Sequence, residues 1–96
     1  MLYALICTDK PNSTDLRAKV RPEHVNYLNS LGHALKFAGP FQDAAGNSNG
    51  SLVMIEAESQ AGAQHVAALD PYNLAGLFAS VEIRPWKWTL KNPEAK

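Results

Sequence analysis

The chain has 96 residues, of which 46% are apolar, and its nine Lys and Arg residues balance its nine Asp and Glu residues. This length predicts one domain, residues 1–96, with a modest core. Because no basic excess is available to neutralise phosphates, we expect no nucleic-acid partner. The single cysteine, Cys7, excludes an internal disulfide, and the apolar start is too short for a signal or membrane helix. These features predict a cytoplasmic protein with no membrane partner.

A strand and then a helix are predicted at the start of the chain. Residues 2–8 are apolar at both parities, which indicates a strand covered on both faces. Residues 9–13 supply turn formers and a helix cap, and a helix is predicted from residue 16 to about residue 31. Pro22 lies inside this helix. The pattern leaves open one kinked helix or two helices, the second with Pro22 at its first position.

The remaining elements are also predicted from apolar runs separated by turn residues. They are a strand at residues 35–38 that continues into Gly39–Pro40, a loop at residues 42–49, a strand at residues 51–58, a helix capped by Ser59 that carries Ala63, Val66, Ala67 and Leu69, a short helix or turn from Tyr72 to Phe78, and a strand at residues 80–90. A change of apolar parity at Arg84–Pro85 predicts a bulge in the last strand. Residues 91–96 are expected to form a flexible tail.

The order of elements predicts an α+β fold of the ferredoxin-like βαββαβ type, a four-stranded antiparallel sheet with helices on one face. Two helices cover only one side of such a sheet. The first and third strands are nevertheless apolar on both sides, and Trp86 and Trp88 also need cover. We therefore predict that a second copy packs on the open face and forms a homodimer.

One histidine stands on the apolar face of the first predicted helix. The face is made by residues at a spacing of four, with Leu31 extending it: Leu16, Val20, His24 and Leu28. This spacing points the imidazole inward, where its nitrogens need partners. Asp70 is the best candidate, because a carboxylate would fix the tautomer of the ring and stabilise its protonated form. Such a pair is an oriented general acid/base.

Both residues also have purely structural interpretations. Asp70 precedes Pro71 and could cap the following turn, since Asp is a preferred capping residue. His24 could be a buried histidine with satisfied hydrogen bonds and no chemistry.

Further polar residues are weaker candidates for the same site. Arg21, one turn before His24, could bind an anionic group or remain a surface cation. Tyr72 could donate a hydrogen bond into a pocket or only pack, and Asp9 could line a rim or only form a turn. Ser51 lacks the surroundings of a hydrolase nucleophile.

Metal and phosphate sites are not predicted. His33 and His65 lack the paired spacing of metal ligands. The glycines at positions 46 and 50 lie in a loop that no helix follows, unlike a phosphate-binding loop. We therefore expect no metal and no cofactor.

Several segments together resemble the YciI-like family across nearly the whole chain. They are Met1-Leu2-Tyr3-Ala4-Leu5, Val20-Arg21-Pro22-Glu23-His24, Ala38-Gly39-Pro40, Asp70-Pro71-Tyr72 with Ala75-Gly76, and Val81-Glu82-Ile83-Arg84-Pro85-Trp86. The resemblance implies a ferredoxin-like fold that dimerises as a dimeric α/β barrel, related to muconolactone-isomerase-like proteins. It also implies a pocket with a His–Asp pair, here His24 and Asp70, and pocket-lining positions at Arg21, Ser51 and Tyr72.

Two functional hypotheses follow. The first is a cofactor-independent enzyme of the lyase or isomerase type, in which the His–Asp pair moves a proton on a small, aromatic or lactone-like molecule. A few relatives in the family act as dehydrochlorinases on chlorinated hydroxyquinones. The second is a non-catalytic dimer that binds a small ligand or a protein. An RNA-binding domain is disfavoured by the neutral charge and the missing aromatic signature on the sheet.

Overall fold

The computed structural model describes residues 1–95, and its elements follow the predicted order. They are β1 (Leu2–Asp9), α1 (Thr14–Ser30), a 3-10 turn (Gly32–Ala34), β2 (Leu35–Gln42), β3 (Ser48–Glu56), α2 (Gln60–Leu69), α3 (Pro71–Leu74) and β4 (Phe78–Trp86). The strands form one sheet in the order β2-β3-β1-β4, and each neighbouring pair is antiparallel. The predicted ferredoxin-like α+β fold is confirmed. Within residues 1–95, no helix is both long and apolar enough to cross a membrane.

Helix α1 is continuous through Pro22, so the alternative of two separate helices is wrong. Pro22 cannot donate a hydrogen bond to the carbonyl group of Ala18, but Ala18 and Pro22 are both exposed, so water can solvate that carbonyl group. The helix starts at Thr14, earlier than predicted. Gly32 adopts a φ of 60° just beyond its end, a conformation that glycine reaches without strain.

The helix-facing side of the sheet carries the main core. Tyr3, Leu5 and Cys7 of β1 alternate inward and meet Val53 and Ile55 of β3, all of them buried. The opposite parity of the same strands forms the open face, as the apolar pattern predicted. Covering both sides of β1 and β3 therefore requires material beyond the three helices.

Part of that cover comes from the chain itself. Phe37 of β2 lies 5.9 Å from Trp86 and 5.1 Å from Trp88, measured between ring centroids. Because β2 and β4 are the two edges of the sheet, these aromatic rings bridge one end of the open face. Lys36 beside them contacts Glu94 at 2.9 Å, so the chain after β4 reaches the β2 edge.

Strand β4 differs from its prediction in three ways. It begins at Phe78 rather than at residue 80, and it ends at Trp86 rather than at residue 90. Its pairing with β1 also runs without interruption from Trp86 to Ser80. The irregularity lies instead between Thr8 and Asp9, so the bulge predicted at Arg84–Pro85 is wrong. The apolar parity changes there because the strand uses both faces of the sheet. Regular alternation places Ile83 toward the helices and Trp86 toward the open face.

The β2–β3 hairpin also differs from its predicted bounds. Strand β2 extends to Gln42 and β3 begins at Ser48, so the loop is shorter than predicted. Strand β3 ends at Glu56 rather than at residue 58. Flexibility of residues 91–96 stays a prediction, and Lys96 lies outside the described residues.

Candidate active site

His24 and Asp70 meet in the interior, as their sequence contexts suggested. Their residue exposures are 8% and 4%, and both carboxylate oxygens of Asp70 lie 2.9 Å from Nδ1 of His24. Helix α1 supplies the imidazole, and the junction between α2 and α3 supplies the carboxylate. A carboxylate accepts hydrogen bonds only, so this contact places the Nδ1 proton of the neutral ring between the two residues.

Asp70 also caps α3. Its Oδ1 accepts a hydrogen bond of 2.9 Å from the backbone N–H of Tyr72, and Pro71 occupies the first helical position. The capping and histidine-binding interpretations of Asp70 are therefore both correct. The backbone of α3 fixes the carboxylate, and the carboxylate in turn orients the ring of His24.

The ring of Tyr72 packs against one flat face of the imidazole. It stacks on His24 with a centroid separation of 3.9 Å and an angle of 18° between the ring planes. Phe78 packs edge-on against Tyr72 at 5.9 Å. Burial raises the pKa of the Tyr72 hydroxyl, although the charges of Arg17 and Arg21 oppose that rise. The hydroxyl is therefore a neutral donor at ordinary pH.

Arg17 is a site residue that the sequence patterns did not reveal. It is 8% exposed, and its Nε and Nη2 atoms donate to the two oxygens of Asp9 at 2.7 and 3.1 Å. Nη2 also donates to Oγ of Ser51 at 2.8 Å, and Cζ lies 4.6 Å from the centroid of the Tyr72 ring. Arg17 stands seven residues before His24 on the same helical face. That spacing is the signal that could have identified it.

The charge of Arg17 is secured by Asp9. Burial lowers the pKa of the guanidinium, but the hydrogen bonds and the negative charge of Asp9 outweigh burial and raise it above its ordinary value. Asp9, the last residue of β1, is thus the partner of a buried cation. A two-pronged contact of this kind fixes the guanidinium in one plane.

A cavity of about 560 Å³ lies between α1 and the β2–β3 hairpin. Arg17, Arg21, His24, Ser51 and Tyr72 are all among the residues that line it. The structure thus gathers the three predicted binding positions around His24, while their role in binding stays a prediction. Nδ1 of His24 is occupied by the carboxylate, so Nε2 is the ring nitrogen left for the cavity.

Cys7 lies beneath this site, and its buried thiol is unreactive. It pairs with Ser51 across β1 and β3 and is 2% exposed. Burial and then the charge of Asp70 raise the pKa of its thiol to about 12. The thiol stays protonated at ordinary pH and supplies no nucleophile.

The family model for the YCII-related domain matches residues 1–87. The chain belongs to this family. Protein YciI of Escherichia coli O6:H1 strain CFT073 is 37% identical over 95 residues, covering 91% of this chain and 97% of the relative. The resemblance identified from the sequence segments is confirmed.

Two solved structures place this YCII-related chain among dimeric α/β barrel proteins. The 5-chloro-2-hydroxyhydroquinone dehydrochlorinase TftG of Burkholderia phenoliruptrix AC1100, in complex with 2,5-dihydroxybenzoquinone, matches with a TM-score of 0.85 and 30% identity over 91% of this chain and 94% of that one. An antibiotic biosynthesis monooxygenase matches with a TM-score of 0.52 and 13% identity over 91% and 99% of the two chains, which shows the shared fold alone.

Proposed function

We propose that this YCII-related protein is a cofactor-independent enzyme of the lyase or isomerase type, with His24 as its general acid/base and Asp70 as the group that orients it. One observation carries the proposal. The Asp70 carboxylate occupies Nδ1 of a buried imidazole, and the same imidazole lines a cavity of about 560 Å³. A volume of this order is usual for small-molecule sites.

The proposed step is a proton transfer. Nε2 of His24 takes a proton from a hydroxyl or an acidic carbon of the substrate, and the electron pair of the broken bond stays on the substrate. In a lyase reaction this pair moves through the molecule and expels a leaving group such as chloride. In an isomerase reaction the imidazolium returns the proton at another atom. Asp70 stabilises the imidazolium in either case, and an acid/base group of this kind contributes about 10²–10⁴-fold in rate.

We propose a small aromatic or lactone-like substrate. The cavity walls are mixed: Arg21 and Ser51 supply polar groups, while Leu28, Leu35 and Val53 supply apolar surface. Such walls suit a single ring bearing oxygen substituents. The similarity to a dehydrochlorinase in complex with 2,5-dihydroxybenzoquinone supports hydroxylated aromatic rings as the first substrates to test.

We also propose that the protein acts as a homodimer through the open face of its sheet. Exposed apolar side chains at this face support the proposal: Phe41 is 42% exposed and Trp86 is 38% exposed. Ile6 and Leu52, paired across β1 and β3, are half-buried on the same face. A second copy would bury this surface.

The test is a turnover assay on lactones, substituted catechols and 5-chloro-2-hydroxyhydroquinone, with product formation and chloride release as readouts. We expect wild type to convert at least one compound and His24→Gln to lose about 10²–10⁴-fold in rate. His33→Gln is the matched control because His33 is exposed on the 3-10 turn outside the cavity. Turnover that survives in His24→Gln would refute the role of His24. Binding without turnover by wild type would identify the non-catalytic ligand-binding alternative instead.

A further inference from the structure

The hydroxyl group of Ser51 has an unusual position in the hydrogen-bond network. Its Oγ receives a hydrogen bond of 2.8 Å from Nη2 of Arg17. Arginine has no acceptor atom, so the serine oxygen must be the acceptor and its own proton is left to donate elsewhere. Within residues 1–95, no protein acceptor pairs with that proton, and Ser51 lines the cavity. The proton is therefore available to a ligand.

The Ser51 hydroxyl and the Arg17 guanidinium that donates to it are both held rigidly. Ser51 lies on β3, between β1 and β2, where it pairs with Cys7 and Pro40 and is 3% exposed. Asp9 fixes the guanidinium of Arg17 through two hydrogen bonds. A hydroxyl that accepts from a fixed cation is a stronger donor, because hydrogen bonds in a chain polarise one another. Preorganised donors of this kind stabilise negative charge on a ligand oxygen.

The charges around the cavity favour the same kind of ligand. Its lining residues include Arg17 and Arg21 but no aspartate or glutamate. The site has two carboxylates: Asp9 contacts Arg17, and Asp70 contacts His24. Neither carboxylate lines the cavity. Asp9 balances the charge of Arg17, and the charge of Asp70 lies on the far side of the His24 ring. Among the described residues, Arg21 is therefore the unpaired cation at the cavity wall.

We infer that Ser51, with Arg17 as its positioning residue, forms an oxyanion site that selects ionised hydroxyarenes or enols over their neutral forms. This inference rests on the proposed function and specifies its substrate class. Negative charge that remains on the substrate after His24 has taken a proton would reside on the oxygen bound by Ser51. One residue then moves the proton and another holds the resulting oxyanion.

The probe for this site is 4-nitrophenol, whose phenolate absorbs visible light while its neutral phenol does not. Titrating the bound probe with pH gives the affinity of each form for wild type and variants. We expect wild type to bind the phenolate more tightly than the phenol. Ser51→Ala should weaken phenolate binding by about 10- to 100-fold, the usual range for a hydrogen bond to a charged group, with a smaller change for the phenol. Ser80→Ala is the matched control, because Ser80 is exposed on β4 and does not line the cavity.

Several outcomes would overturn the inference: no binding of the phenolate by wild type, a preference for the neutral phenol, or an unchanged preference in Ser51→Ala. Circular dichroism verifies that each variant is folded. His24→Gln separates this site from the proposed reaction, since we expect it to keep the phenolate preference. If no compound is turned over while Ser51→Ala still loses that preference, the proposed function fails and the oxyanion site stands. The reverse result removes the oxyanion site and leaves the role of His24 intact.

Discussion

Substitution of Asp70 separates its two contacts, the cap of α3 and the hydrogen bond to His24. Asp70→Ala removes both. Loss of the cap to Tyr72 N–H costs about 0.5–2 kcal/mol, and an unpaired buried Nδ1–H costs about 1–3 kcal/mol. Together they lower the free energy of unfolding by about 1.5–5 kcal/mol. Asp70→Asn keeps an oxygen for the cap, and its amide can donate to Nδ1 of a ring that has changed tautomer. We expect a cost below about 1 kcal/mol, because Asn caps helices as well as Asp does.

Urea denaturation at pH 8, followed by tryptophan fluorescence and circular dichroism, measures both costs. The variants are compared at one protein concentration, because dimer stability depends on it. Asp15→Ala is the control, since Asp15 is exposed in the first turn of α1. An Asn variant as unstable as the Ala variant would refute the dual role of Asp70, as would an Ala variant that loses less than about 1 kcal/mol.

Three further predictions concern Cys7, the Arg17–Asp9 pair and the dimer. Burial raises the pKa of Cys7 from 9.0 to about 12, so unfolded chains ionise first and stability falls above pH 9, by up to about 1.4 kcal/mol per pH unit. Between pH 8 and pH 10.5, the urea midpoint should decrease less in Cys7→Ala than in wild type. An equal decrease in both proteins would contradict this prediction. Arg17→Met leaves Asp9 as an unpaired buried charge and should cost about 3–5 kcal/mol in urea, with partial recovery on adding Asp9→Asn; strictly additive costs would argue against the pair. Leu52→Glu should convert a dimer to a folded monomer in sedimentation velocity, whereas a monomeric wild type would refute the dimer.

The order of the elements could be predicted because each apolar run has the period or length of its element. Strands β1 and β3 are short and apolar on both faces, and α1 shows a stripe at a spacing of four. Local rules failed where tertiary context decides. Pro22 did not end α1 because its surroundings are exposed, and the parity change near Pro85 reflects two usable faces rather than a bulge.

The site was partly predictable for similar reasons. His24 stood out because a polar residue interrupts an apolar stripe. Asp70 was a candidate because a carboxylate suits a buried imidazole, and the family resemblance implied the pair. Arg17 did not stand out, since a buried arginine looks like a surface cation until its partner is known. That partner, Asp9, comes from the end of a strand, and Ser51 comes from another strand. Contacts of this kind depend on the pairing of β1 with β3, two strands that are far apart in the sequence.

The most direct test of the account is the tautomer of His24, measured from the ¹⁵N chemical shifts of its ring nitrogens in the neutral state. The Asp70 carboxylate can only accept, so wild type should carry its proton on Nδ1 and leave Nε2 free for the cavity. In Asp70→Asn the amide should donate to Nδ1 and move the proton to Nε2. The exposed rings of His33 and His65 provide the reference in the same spectrum. A wild-type His24 with its proton on Nε2, or with the same tautomer mixture as those two rings, would contradict the claim that Asp70 prepares this imidazole to act as a base.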